Sequence, residues 1–160
     1  MYRAPGTNKV PSRIVCDNQM YQNNSKQSFW FTKIAAGSGH VALVTNTKKL
    51  YMYGRNVDSE CGVTSQTHYL NAPVEVPNVS NPILIACGYY CTFVQVCNNE
   101  NLQNIDSEPE DNFVLYSFGE NLFGNCGVND PKMLTVAKPT RVAIKDTKGL
   151  TRIACGRFNT

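Results

Sequence analysis

Two stretches of this 160-residue chain are written in the same order, and that repetition constrains the fold more than any bulk property. Tyr51-Met52-Tyr53-Gly54-Arg55-Asn56, closing five residues later on Cys61-Gly62, recurs 65 residues on as Tyr116-Ser117-Phe118-Gly119-Glu120-Asn121, closing on Cys126-Gly127. A second block keeps step with the first: Ile34-Ala35-Ala36-Gly37 before His40, Ile85-Ala86-Cys87-Gly88 before Cys91, and Ile153-Ala154-Cys155-Gly156 before Asn159. A third block, Pro-x-x-apolar, runs from Pro11 to Ile14, Pro73 to Val76 and Pro139 to Val142. The spacing is 51 residues from Ile34 to Ile85 and 68 from Ile85 to Ile153, the surplus falling in residues 98–112. Periods of this size imply stacked or radially arranged supersecondary units.

Within each unit the signals are those of short strands. Residues 41–45 and 50–53 are apolar, rich in β-branched and aromatic residues, and joined by a turn at 46–49. Residues 73–76 read as an outer edge strand, because proline has no N–H to give an inner ladder. Residues 83–87, 92–96, 113–118 and 138–142 repeat the series, and nothing of helical length shows a 3.6-residue period. The expected fold is all-β, a partial β-propeller of four-stranded antiparallel blades with about two full repeats and partial ones at each end. The expected divisions are a polar segment over 1–28 that ends a preceding repeat, repeat one over 29–80, repeat two over 81–146 and the start of a third over 147–160. About 40 to 50 residues per blade leave the chain too short to close a ring, so a fragment, further repeats or self-association is expected.

The motifs also resemble the regulator of chromosome condensation repeat, whose usual form is Ala-x-Gly-x-x-His-Thr followed by Leu-x-x-Trp-Gly-x-Asn-x-x-Gly-Gln-Leu-Gly. Tyr53 and Phe118 stand in the place of its tryptophan, Ser59 in that of a glycine, Cys61 and Cys126 in that of leucine, and only His40 keeps the histidine. The resemblance implies a module that presents loops to protein partners. Its alternatives are nucleotide exchange on a Ran-type small GTPase and, after that, chromatin binding. Exchange factors of this kind need no catalytic acid or base, and the reading is of a protein without catalytic residues or cofactor.

The repeat assigns structural work to Gly37, His40, Tyr53, Gly54, Asn56, Gly62, Gly88, Phe118, Gly119, Asn121, Gly127 and Gly156. Glycines at 37, 88 and 156 are expected where strands crowd together or φ turns positive, and aromatics at 53 and 118 as wedges between blades. The resemblance implies that His40 hydrogen-bonds near a strand end to hold adjacent segments. Cys87-x-x-x-Cys91 with Cys97 nearby invites a zinc site, and Cys91 with His40 a nucleophile and base. Both give way to the repeat, which places each of these residues in an ordinary slot where cysteine serves as a small hydrophobe.

Charge is arranged in blocks. Residues 1–55 hold eight bases and one acid, 56–131 ten acids and no base, and 132–160 seven bases and one acid. The net charge of +3 is too small to argue for nucleic acid, and blocks of alternating sign are expected to settle against each other. Residues 98–112 carry Glu100, Asp106, Glu108, Glu110 and Asp111 without a base, a candidate loop for a basic partner. No apolar run reaches the roughly 20 residues that cross a bilayer, no secretory stretch opens the chain, and seven cysteines are an odd number. An intracellular protein, cytoplasmic or nuclear and without a membrane, is the expectation.

Overall fold

The computed structural model describes residues 30–65, 67–97, 113–130, 132–144, 147 and 149–157. Among the described residues eight strands follow one another: β1 (Phe31–Ala36), β2 (His40–Thr45), β3 (Lys49–Arg55), β4 (Tyr69–Ser80), β5 (Pro82–Cys87), β6 (Cys91–Cys97), β7 (Phe113–Glu120) and β8 (Thr135–Arg141). They form two four-stranded antiparallel sheets, β1-β2-β3-β4 and β5-β6-β7-β8, each in simple chain order. These are two propeller blades, as the repeat predicts.

The β-branched and aromatic runs sit in the middle strands, which neighbours cover on both edges and both faces. β2 and β6 are buried almost throughout, with Ala42, Val44, Phe93 and Val94 in one apolar cluster. That cluster continues from the first blade into the second through Met52, Cys61, Phe118 and Cys126. The blades therefore share a core.

One feature differs from the sequence expectation. β4 runs for 12 residues, well beyond Pro73 to Val76, and keeps Pro73 and Pro77 inside it. As the outer strand it is paired on one edge alone among the described residues, so a missing N–H on the other breaks no ladder there. Ile34 is 68% exposed, whereas its counterpart Ile85 packs against the core. β5 has the first blade beside it; among the described residues β1 has a blade on one side only. Residues 150–157, the counterpart of β1 and β5, lie against the second blade through Leu150, Ile153 and Cys155 without joining a sheet.

Candidate functional site

Antiparallel order brings the connections 37–39, 56–68, 88–90 and 121–134 to one end of the two sheets. The turn 46–48 and the connection between β6 and β7 fall at the other. That second connection is residues 98–112, so Glu100, Asp106, Glu108, Glu110 and Asp111 lie outside the described residues.

Each β3–β4 type loop is pinned by its asparagine. Asn56 Oδ1 accepts from the Cys61 amide at 3.0 Å, and Asn121 Oδ1 accepts from the Cys126 amide at 3.0 Å. The two thiols donate to the carbonyls of Arg55 and Glu120, both at 3.2 Å. Gly54 and Gly119 precede these loops with φ of 105° and 119°, and a Cβ on either would meet the carbonyl oxygen of Gly39 or Tyr90. The backbone thus turns out of the sheet identically in both units. Burial pushes the thiols of Cys61, Cys87 and Cys126 up to about 12. They are neutral packing groups at physiological pH, not nucleophiles.

The blades are joined where the loops begin. A Cβ on Gly37 would lie 2.3 Å from the Gly88 carbonyl oxygen, and one on Gly88 would lie 3.2 Å from that of Gly156, so the three glycines form a stair between successive units. The reason for glycine here is close approach, not positive φ, which is the first of the two grounds the sequence suggested. His40 is buried, and its Nε2 lies 2.9 Å from Thr92 Oγ1 on the next blade. Thr92 Oγ1 in turn donates to the Glu60 carbonyl at 2.7 Å, which leaves the hydroxyl to accept the imidazole N–H. Phe118 is fully buried and fits over Gly62, where a Cβ would come within 2.8 Å of the ring. Tyr53, its counterpart in the first blade, is half-buried.

Above this seam the side chains change character. Arg55 forms ion pairs with Asp58 at 2.7 Å and with the buried Glu60, while its guanidinium lies 4.0 Å from the centre of the Tyr90 ring. Partial burial works to lower the Arg55 pKa, but the hydrogen bonds and charges of Asp58 and Glu60 outweigh it, and the net shift is upward. Tyr90 meets Tyr89 edge to face at 4.4 Å, and the Arg157 guanidinium lies 4.9 Å from the centre of the Tyr89 ring. Glu120 stands in Arg55's place in the second unit; burial and then the charge of Asp58 raise its pKa. Three units thus contribute to one row: Arg55, Tyr90, Tyr89, Arg157.

Sequence reasoning singled out the glycines, His40, Asn56, Asn121 and Phe118, which occupy the seam and the loop bases. It missed Thr92, Glu60, Arg55, Tyr89, Tyr90 and Arg157. Thr92 had a signal, since the repeat's usual form has Thr after His and the second unit has Thr92 there. Lys49 and Arg55, from the first basic block, pair with Glu75, Asp58 and Glu60 of the acidic one. Among the described residues no three of His, Cys, Asp and Glu gather as a metal cluster.

Residues 31–62 match the regulator of chromosome condensation (RCC1) repeat. The fold matches yeast RCC1 (Prp20) in its complex with Kap60, with a TM-score of 0.63 at 24% identity over 84% of this chain and 27% of that one. It also matches Prp20p from Saccharomyces cerevisiae, in a study of its binding to Gsp1p and histones, with a TM-score of 0.61 at 22% identity over 83% and 28% of the two chains. Human WBSCR16 follows with a TM-score of 0.54 at 17% identity over 72% and 26%. The chain spans about a quarter of the length of these proteins. No curated protein sequence matches it. Among the described residues no helix is long and apolar enough to cross a membrane.

Proposed function

We propose that this partial propeller, which carries a regulator of chromosome condensation repeat, is a non-catalytic protein-interaction module that meets its partner through the loop face. The observation that carries the reading is the row Arg55, Tyr90, Tyr89 and Arg157, built from three consecutive units at the end of the sheets where the connections 37–39, 56–68, 88–90 and 121–134 gather. Tyrosine and arginine are the side chains that anchor protein interfaces, because they combine large apolar area with polar ends and lose little freedom when pre-ordered. His40 is the residue a catalytic reading would choose. It is buried, bonded to Thr92 and held neutral, so it supports the seam instead of serving a substrate.

A second reading is nucleotide exchange on a small GTPase. Its support is the fold's likeness to Prp20p, a protein studied for binding to Gsp1p and histones. Exchange of this kind requires only tighter binding to the nucleotide-free than to the loaded GTPase, a population shift without acid or base. Chromatin is the further alternative on the same likeness. Release of a fluorescent guanine nucleotide from a Ran-type GTPase separates the readings. The interaction module leaves release at its intrinsic rate at saturating protein, whereas the exchange factor accelerates it. Acceleration abolished by Tyr90→Ala would establish exchange in place of simple binding.

A further inference from the structure

We infer that the groove between the outer strands of the two blades binds a short acidic peptide of a partner protein, whose carboxylate is taken by Tyr116, Lys138 and Arg141. The inference is independent of the loop-face reading. Both walls of the groove are supplied by these two blades, so no further unit shapes it.

The first blade shows what this position asks for. Tyr51 and Glu75 face each other in the register, and Glu75 accepts from the Tyr51 hydroxyl at 3.0 Å while pairing with Lys49 at 2.9 Å. A phenol and an ammonium thus share one carboxylate. The second blade keeps the tyrosine and reverses the charge, because Tyr116 faces Arg141 and Val114 stands in the place of Lys49. Cross-strand partners lie on one face of a sheet, so the Tyr116 hydroxyl has a cation beside it where the Tyr51 hydroxyl has an anion. Among the described residues neither the Tyr116 hydroxyl nor the Arg141 guanidinium has a hydrogen-bond or ion-pair partner. Two donors share this face, and no carboxylate answers them.

Two strand irregularities open the groove at this tyrosine. Residues 76–79 of β4 lie opposite the single Leu50, and residues 137–139 of β8 lie opposite the single Phe118. Extra residues of this kind bend a strand and re-aim its side chains. Between Pro77 and Asn78 on one wall and Tyr116, Lys138 and Pro139 on the other lies a cavity of about 440 Å³, within the size range of ligand sites and larger than one carboxylate fills. Asn78 holds its place with φ of 61°. None of the described residues lining the cavity is an acid, and the exposed Lys138 has no ion pair among the described residues.

Tyr116 belongs to both arrangements, since it lines the groove and pairs with Arg141. An aspartate or glutamate entering here does for the second blade what Glu75 does for the first: it accepts from the phenol and forms charge-assisted bonds with the cations. The room beyond the carboxylate is walled by Pro77 and Pro139, whose rings offer apolar surface of fixed shape. The fitting occupant is therefore a peptide in which an acid stands next to an apolar residue. A basic peptide meets Lys138 and Arg141 with like charge and is excluded.

The test selects random peptides displayed on phage against the intact chain, then titrates the enriched sequence, synthesised with a fluorescent label, by anisotropy. The expected result is an enriched sequence with aspartate or glutamate beside an apolar residue. Its saturable binding weakens about tenfold when that acid is replaced by its amide, and about tenfold on a Tyr116→Phe chain. Tyr116→Phe leaves every charge in place, so a diffuse attraction to basic surface would not register it. Arg141→Glu, at an exposed position, gives the second blade the carboxylate of the first and is expected to abolish binding at an undiminished melting temperature. Selection that enriches no acidic sequence on the folded chain overturns the proposal, as does binding indifferent to Tyr116→Phe or to Arg141→Glu.

Discussion

The Nε2 of His40 and the Oγ1 of Thr92 lie 2.9 Å apart across the seam between the blades, although 52 residues separate them in sequence. One unit keeps the histidine of the repeat and the next keeps the threonine, and the two meet. Because Thr92 also donates to the Glu60 carbonyl, removing its hydroxyl leaves two buried polar groups without their partner. Thr92→Val is expected to cost about 1 to 3 kcal/mol in urea unfolding. In a double-mutant cycle with His40→Ala the coupling is expected to be about 1 kcal/mol, and additive losses would contradict the contact.

Burial also makes the seam sensitive to acid. The His40 pKa is lowered from 6.5 to about 4, chiefly by burial, with the backbone hydrogen bond at Cys91 opposing and the Arg55 charge adding to the lowering. Between these values the unfolded chain holds a proton that the folded chain does not. Stability from this group is therefore complete above pH 6.5 and is lost as pH falls toward 4, by about 3 kcal/mol in all. Unfolding free energies of the wild type and His40→Gln between pH 7 and 4 should diverge at the neutral end and converge at the acid end.

Phe118 carries the apolar share of the same seam. It is fully buried, and it occupies the space that a side chain at position 62 would need. Phe118→Ala is expected to destabilise by about 3 to 5 kcal/mol. Gly62→Ala fails from the other side, because its methyl meets the ring at 2.8 Å in a backbone conformation with φ of 62°. A loss of about 2 kcal/mol is expected by denaturant titration.

The first unit departs from the repeat at a position where the departure is strained. Ser59 has φ of 62°, and the corresponding residue of the second unit, Gly124, has φ of 72° with open space around its Cα. Serine in the left-handed region costs about 1 kcal/mol, and part of the relief from glycine is cancelled by the freer unfolded chain. Ser59→Gly should stabilise the chain by about 0.5 kcal/mol, read as a rise in the urea midpoint at unchanged slope.

These contacts divide by how far they are legible in the sequence. Gly54 and Gly119, Asn56 and Asn121, and Cys61 and Cys126 answer demands of the local backbone, so each unit writes them again and comparison of the units finds them. Pro73 and Pro77 mark an edge because proline lacks an N–H, although the strand that contains them is longer than the proline pattern suggests. The pairing of His40 with Thr92, and of Arg55 with Tyr90, belongs to the meeting of two different units. A repeat records what its members have in common, whereas the row falls on residues in which they differ. Tyr89, Tyr90 and Arg157 occupy positions where the units do not agree, which is why the site stayed hidden while the fold was plain.

The central claim is that the Arg–Tyr row on the loop face is the surface by which the molecule binds a protein. The most direct measurement captures partners in parallel on the wild-type chain and on a Tyr89→Ala, Tyr90→Ala chain whose melting temperature matches it, with recovered proteins quantified by mass spectrometry. The account predicts that proteins retained by the wild type fall at least tenfold on the double variant. Equal recovery on the two chains would contradict it.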